Sequence, residues 1–203
     1  MIALIDYGMG NLSSVRKAFI AAGARNIEIV SSPNEIYRAE AIVLPGVGNF
    51  GDGAKNLNFL GLSDSIRNFI SSGKPFLGIC LGMQLLMETS EEAPGIKGLG
   101  IINGKTIKFD NSLNLKVPQI GWNSVSKINK HSCFNGLKDN EYFYFVHSYY
   151  VVPENTSYIA GLTEYGIKFC SCICKENITA TQFHPEKSQD AGIQIIKNFI
   201  NSI

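Results

Sequence analysis

Pro75-Phe76-Leu77-Gly78-Ile79-Cys80-Leu81-Gly82-Met83-Gln84-Leu85-Leu86-Met87 is the stretch whose reading decides the fold. Its apolar first part, 75–79, has the character of a buried strand, and 83–87 has the character of a helix start. Gly78 and Gly82 let the backbone turn sharply between them and let the two elements pack closely around the bend. A strand, a sharp turn and a helix form the repeating unit of an α/β sheet. Such a turn holds one side chain, here the thiol of Cys80, out at the carboxyl end of the sheet in a strained conformation. It also aims the first amides of the helix at whatever that side chain attacks.

The segments N-terminal to this turn fit the same architecture. Residues 2–5, 27–30 and 41–44 are short apolar runs with strand character, and 12–22 and 62–71 have helical periodicity, the latter closed by Gly73-Lys74. Strands and helices alternate, which predicts a mostly parallel sheet covered by helices on both faces. The second half is richer in strands, expected at 105–109, 142–147, 157–161, 167–174 and 178–183, with a closing helix over 191–200. Residues 110–115 and 127–133 are polar and are expected to be exposed loops. No repeat or linker interrupts the 203 residues, so a single domain over 1–203 is expected.

Gln182-Phe183-His184-Pro185-Glu186 supplies what a thiol nucleophile lacks. A histidine accepts the thiol proton, and a carboxylate two residues on holds the imidazole in the right tautomer. Residues 179–183 read as a strand, so the pair sits at a strand end, where open α/β sheets place their sites. A lone cysteine is usually a small buried hydrophobe and a lone histidine often structural. The elbow and the His-x-Glu together make a nucleophile, a base and an orienting acid.

Composition narrows the field. The net charge is +1, which gives no electrostatic case for nucleic acid or a membrane surface. No apolar run reaches the length of a membrane span. Met1-Ile2-Ala3-Leu4-Ile5-Asp6 has no basic leader and turns polar early, so a cytoplasmic location is expected. Gly46-Val47-Gly48-Asn49-Phe50-Gly51 matches a dinucleotide-binding pattern, but it follows a later strand than the first, and Pro45 precedes it. A glycine-rich turn beside the elbow is better suited to presenting a backbone N–H to an oxyanion. Cys170, Cys172 and Cys174 alternate, with no C-x-x-C spacing and no histidine close in sequence. They read as three cysteines on one face of a strand rather than a metal site. Cys133 has no assigned role.

Taken together, these segments resemble the class I, triad-type glutamine amidotransferases. They are most similar to the glutaminase subunits of imidazole glycerol phosphate synthase in histidine biosynthesis. The matching stretches are Asp6-Tyr7-Gly8-Met9-Gly10-Asn11-Leu12, 45–51, 78–86, Ile120-Gly121-Trp122-Asn123, Tyr144-Phe145-Val146-His147-Ser148-Tyr149 and 182–188. The resemblance implies a flavodoxin-like α/β fold with a smaller antiparallel region. It implies that Cys80 attacks the side-chain amide of glutamine, His184 carries the proton and Glu186 orients His184. Leu81 and the Gly46-Val47-Gly48 turn would meet the oxyanion, and Gly48, Gln84, Ser148 and Tyr149 would hold glutamine. Asn11, Trp122, Asn123 and Lys187 would meet a cyclase subunit with a (β/α)₈ barrel in a heterodimer. No metal or organic cofactor is implied.

The chain departs from the family where Val117-Pro118 is followed by Gln119-Ile120 instead of the usual His-Met. That leaves open a related glutaminase that feeds a sugar amidotransferase in surface-polysaccharide assembly. A cysteine peptidase on a similar sheet and a catalytically dead binding subunit are the other readings. Gln84 and His147-Ser148-Tyr149 favour a small amino-acid ligand over a peptide, and a full triad argues against a dead module.

Overall fold

The computed structural model describes residues 1–110, 112, 115–128 and 130–203. Five parallel strands form its first half, in the order β2 (Ile27–Val30), β1 (Ile2–Ile5), β3 (Ala41–Leu44), β4 (Phe76–Ile79), β12 (Ile178–Thr181). Their side chains alternate between two cores. Ala3, Ile5, Ile42, Leu44 and Phe76 pack on one face with α3 (Phe50–Phe59) and α4 (Leu62–Ser71). Ile2, Leu4, Val43, Leu77 and Ile79 pack on the other with α1 (Leu12–Ala21) and α6 (Gln189–Ile200). β1, β3 and β4 are buried on both faces, which is why they are continuous apolar runs rather than alternating ones.

The helices start where the sequence provides caps. Asn11 accepts a hydrogen bond from the Ser14 N–H at 3.0 Å, and Asn49 accepts from the Gly51 and Asp52 N–H groups. Ser32 and Glu35 form a capping box for α2 (Pro33–Arg38), with Pro33 in the first turn. In α4 the apolar residues Leu62, Ile66, Phe69 and Ile70 fall on one stripe, as 3.6-residue periodicity requires.

Beyond β12 the sheet continues antiparallel through β11 (Ile167–Lys175), β10 (Ile159–Tyr165), β7 (Gln119–Lys127) and β8 (Glu141–His147). β9 (Tyr149–Pro153) pairs with β11 and with β6 (Gly104–Lys108), which pairs in turn with β5 (Thr89–Ser90). An aromatic core of Phe109, Phe143, Phe145, Phe169 and Phe183 fills this half, with Phe143 stacked on Phe183 at 4.1 Å. Among the described residues no helix is long and apolar enough to cross a membrane.

The structure corrects three expectations. The strand expected at 157–161 begins only at Ile159, because Asn155 accepts the Ser157 N–H and starts a 3₁₀ turn over Thr156–Tyr158. The polar segment 127–133 ends inward, with Cys133 buried in a short 3₁₀ turn, Ser132–Phe134. Asn129, and Asn111, Leu113 and Asn114 of the loop expected at 110–115, lie outside the described residues. The three cysteines of β11 are not on one face. In the register Cys172 pairs with Gly161 while Cys170 pairs with Leu162, so Ser171 is an extra residue that bulges the strand. Cys170 therefore joins the core under α3 and α4, and Cys172 the aromatic core.

Candidate active site

Cys80 lies between β4 and the short helix α5 (Leu81–Gln84), with φ 52° and ψ −104°. A non-glycine residue in that region is strained, and the surrounding structure must hold it there. The elbow closes because two glycines allow it. A Cβ on Gly82 would stand 1.9 Å from the Leu44 carbonyl oxygen, and one on Gly78 would stand 3.0 Å from the Gly82 backbone.

Sheet topology brings Cys80, His184 and Glu186 together. β12 runs parallel to β4 with Thr181 opposite Ile79, and the Cys80 N–H donates to the Thr181 carbonyl at 2.7 Å. The chain leaving β12 therefore passes beside the elbow, and His184 is fixed there by its N–H donating to Tyr144 O at 2.9 Å. His184 Nδ1 is 2.8 Å from Glu186 Oε1, and both side chains are almost fully buried. His184 Nε2 is buried with no hydrogen-bond partner, as is Glu186 Oε2. A buried orphan nitrogen is costly to keep and points to a working role. Burial alone would lower the pKa of His184. The charge and hydrogen bonding of Cys80 and of Glu186 together outweigh burial and lift the pKa to about 10.

That shift gives a prediction. A raised histidine stabilises the fold fully below its ordinary pKa, near about 6.5. The contribution is lost as pH rises through about 10. Glu186→Gln removes one of the two charges that hold the proton, so His184 should titrate at lower pH. The chain has three histidines, so an NMR titration resolves the ring. Glutamine turnover should fall by about 10² to 10⁴, as for an altered triad acid. An unmoved titration with near-normal turnover would make Glu186 merely structural.

The thiol opens onto a cavity of about 420 Å³ lined by Val47, Gly48, Cys80, Leu81, Gln84, Glu92, Pro118, Val146, His147, Ser148, Tyr149 and Lys187. Eight of these are expected from sequence: Cys80 as the nucleophile, Val47, Gly48, Leu81, Gln84, Ser148 and Tyr149 around the substrate, and Lys187 at the partner face. Gln84 is buried, and its Nε2 donates to the Tyr149 carbonyl at 3.0 Å and to Gln182 Oε1 at 3.2 Å. Gln182 in turn points Nε2 at Cys80 Sγ, 3.6 Å away.

Glu92 is missed by the sequence reading. It lies in an unpatterned turn, and only the fold carries its carboxylate to the cavity, where the Phe50 N–H donates to it at 2.7 Å. His147 enters the sequence reading only as part of His147-Ser148-Tyr149, with no role of its own. Burial lowers its pKa to about 4, so it is neutral. Its Nδ1 then donates to the Tyr149 carbonyl at 2.8 Å, and its Nε2 lies 3.1 Å from the end of the Gln119 side chain. Gln119, where the chain departs from the family pattern, is thus an internal support for Ser148-Tyr149.

One contact governs the oxyanion position. The Leu81 N–H donates to the Gly46 carbonyl at 3.4 Å. The peptide between Gly46 and Val47 therefore turns its oxygen toward the site, and its N–H is not available there. Gly46 is pinned: a Cβ on it would meet Tyr7 Oη at 2.2 Å and Leu81 Cβ at 2.9 Å. Tyr7 Oη itself donates to the Pro45 carbonyl at 2.8 Å.

The expected contact residues separate into two groups. Asn11 and Lys187 line a narrow crevice with Val47, His184 and Glu186. Trp122 lies on the outer face of β7 and β8 with Ile120 and Tyr142, at 47%, 59% and 58% exposure. Tyr144 links the two regions, its ring 6.2 Å from Trp122 and 5.7 Å from Lys187 Nζ. Asn123 does not join them. The strand pleat turns it away from Trp122, and it donates to the Glu164 carbonyl at 2.9 Å.

The family model of glutamine amidotransferase class-I matches residues 3–203. The chain is 48% identical over 206 residues to imidazole glycerol phosphate synthase subunit HisH 1 of Methanococcus maripaludis, covering all of both chains. It is 50% identical to the HisH subunit of Methanocaldococcus jannaschii, covering 98% of each chain. Among solved structures, that of PurLQS from Thermotoga maritima superposes with a TM-score of 0.78 at 17% identity, covering 98% of this chain and 97% of the other.

Proposed function

The chain belongs to the class-I glutamine amidotransferases, and on that footing we propose that it is the glutaminase subunit of an imidazole glycerol phosphate synthase. The observation that carries the reading is the strained Cys80 elbow beside the buried His184–Glu186 pair, in a chain alike end to end with HisH subunits.

The reaction is covalent. Cys80 Sγ attacks the side-chain amide carbon of glutamine, and His184 Nε2 holds the thiol proton. The negative oxygen of the tetrahedral adduct is met by the Leu81 N–H and, once the Gly46–Val47 peptide turns over, by the Val47 N–H. The C–N bond breaks as His184 returns the proton, and ammonia leaves a glutamyl thioester. Water, deprotonated by His184, then attacks the thioester; the S–C bond breaks and glutamate departs. Glu186 holds the ring throughout. Among the described residues that line the cavity Glu92 is the one carboxylate, and it suits the α-ammonium of glutamine.

Ammonia is passed to a cyclase subunit, of (β/α)₈ barrel form, in a cytoplasmic heterodimer. Support for the docking face comes from its continuity with the site. Ile120, Trp122, Tyr142, Tyr144 and Lys187 lead to the crevice where Asn11 and Val47 border His184. The Gln119 departure lies inside the fold, which leaves that face intact apart from Ile120.

Trp122→Ala tests the surface. A half-exposed tryptophan at an interface centre is a frequent hot spot, so its loss should weaken association by about 2 kcal/mol or more, roughly thirtyfold. Calorimetric titration with the cyclase subunit reads this directly. Unchanged affinity would move the interface elsewhere.

A further inference from the structure

We propose that Cys133, Cys172 and Cys174 form a binding site for a soft, thiophilic d¹⁰ cation of the Zn²⁺ type, separate from the catalytic cavity. The fold gathers residues that sequence spacing keeps apart. Cys172 and Cys174 project from one face of β11, and Cys133 arrives from the 3₁₀ turn Ser132–Phe134. Their sulfurs all lie within 4.8 Å of one another, with Cys133 and Cys174 3.2 Å apart. In a tetrahedral zinc–thiolate site with Zn–S near 2.3 Å, sulfurs stand about 3.8 Å apart. The Cys133–Cys174 separation is shorter than that value and no pair exceeds 4.8 Å, so small side-chain rotations reach it.

The three donors are held by two elements, each fixed independently. β11 is paired with β12, Cys172 opposite Thr181 and Cys174 opposite Thr179. The turn carrying Cys133 is tied to α6, because Asn198 Nδ2 donates to the Cys133 and Asn135 carbonyls, each at 2.8 Å. The bulge at Ser171 excludes Cys170 from the set by placing it in the opposite core. Cys133 and Cys172 are buried while Cys174 is half-buried, which leaves one side open to an entering ion. The fourth corner falls to water. Binding would replace three S–H bonds by three S–metal bonds and release the protons to solvent.

The test uses the full chain carrying Cys80→Ser, which removes the catalytic thiol as a competing ligand, kept reduced with a phosphine. Cd²⁺ is added as a spectroscopic probe and Zn²⁺ in parallel. The proposal expects one ion retained per chain after gel filtration, a cadmium–thiolate charge-transfer band in the ultraviolet, and a raised Tm. Adding Cys174→Ser should remove the band and weaken binding by roughly tenfold or more, since losing a ligand costs at least what losing its support does. Adding Cys170→Ser should change neither. Circular dichroism checks each variant, and Cys133→Ser on the turn replaces any variant that fails to fold. The proposal is overturned if folded Cys80→Ser protein retains no ion and shows no band. It is equally overturned if Cys170→Ser abolishes binding as fully as Cys174→Ser.

Discussion

Cys80→Ala should lower glutamine hydrolysis by about 10⁴ or more, because covalent catalysis has no second thiol at the elbow. The four other cysteines are distributed between the core under α3 and α4 and the aromatic half of the sheet, and none of them lines the cavity. The loss should be specific. Alanine is smaller than cysteine and takes the same strained position, so thermal unfolding should be little changed. The assembled complex should still form product when ammonium salt replaces glutamine, since the acceptor chemistry belongs to the partner. Glutamine turnover surviving in Cys80→Ala would refute the assignment of the nucleophile.

The second large effect concerns the partner. The isolated chain should hydrolyse glutamine slowly, and the complex with acceptor bound should be faster by about 10² to 10³, the value of one oxyanion donor. The Leu81 N–H already donates to the Gly46 carbonyl, so the oxyanion would meet an opposing dipole and lack the Val47 N–H. Turning that one peptide exchanges the carbonyl for the amide, a population shift between two discrete arrangements. Val47 is 40% exposed and borders the crevice shared with Asn11 and Lys187, so a partner docked on the proposed face would touch the residue that must move. The device would keep ammonia from being released without an acceptor. Steady-state assays on the chain alone, with cyclase, and with cyclase plus acceptor measure it. Full activity in the isolated chain would remove the switch and leave the triad chemistry standing.

The parallel half of the sheet was legible because β1, β3 and β4 are buried on both faces, and the elbow because its glycines are forced by packing. The grouping of Cys80 with His184 and Glu186 could be read from two short segments, since β4 and β12 are neighbours and each ends at the cavity. Other elements left weaker signals. α3 contains Gly51 and Gly53, poor helix formers kept because Cβ atoms there would press on Ala93 and Leu81. β7 has only Gln119 and Val125 fully buried, so it lacks an apolar face to reveal it. Glu92 and Cys133 owe their positions to contacts with residues distant in sequence, Phe50 and Cys174, and no local pattern announces such pairings. The bulge at Ser171 broke the two-residue alternation on which the reading of Cys170 rested.

The central claim is that Cys80, activated by His184, is the nucleophile toward glutamine. A glutamine-analogue electrophile added to the complex, followed by intact-mass and peptide mapping, tests it most directly. One adduct per chain, located on Cys80 and slowed by excess glutamine, is the predicted result. A chain that stays unlabelled, or one labelled on another cysteine at a rate glutamine does not alter, would contradict it.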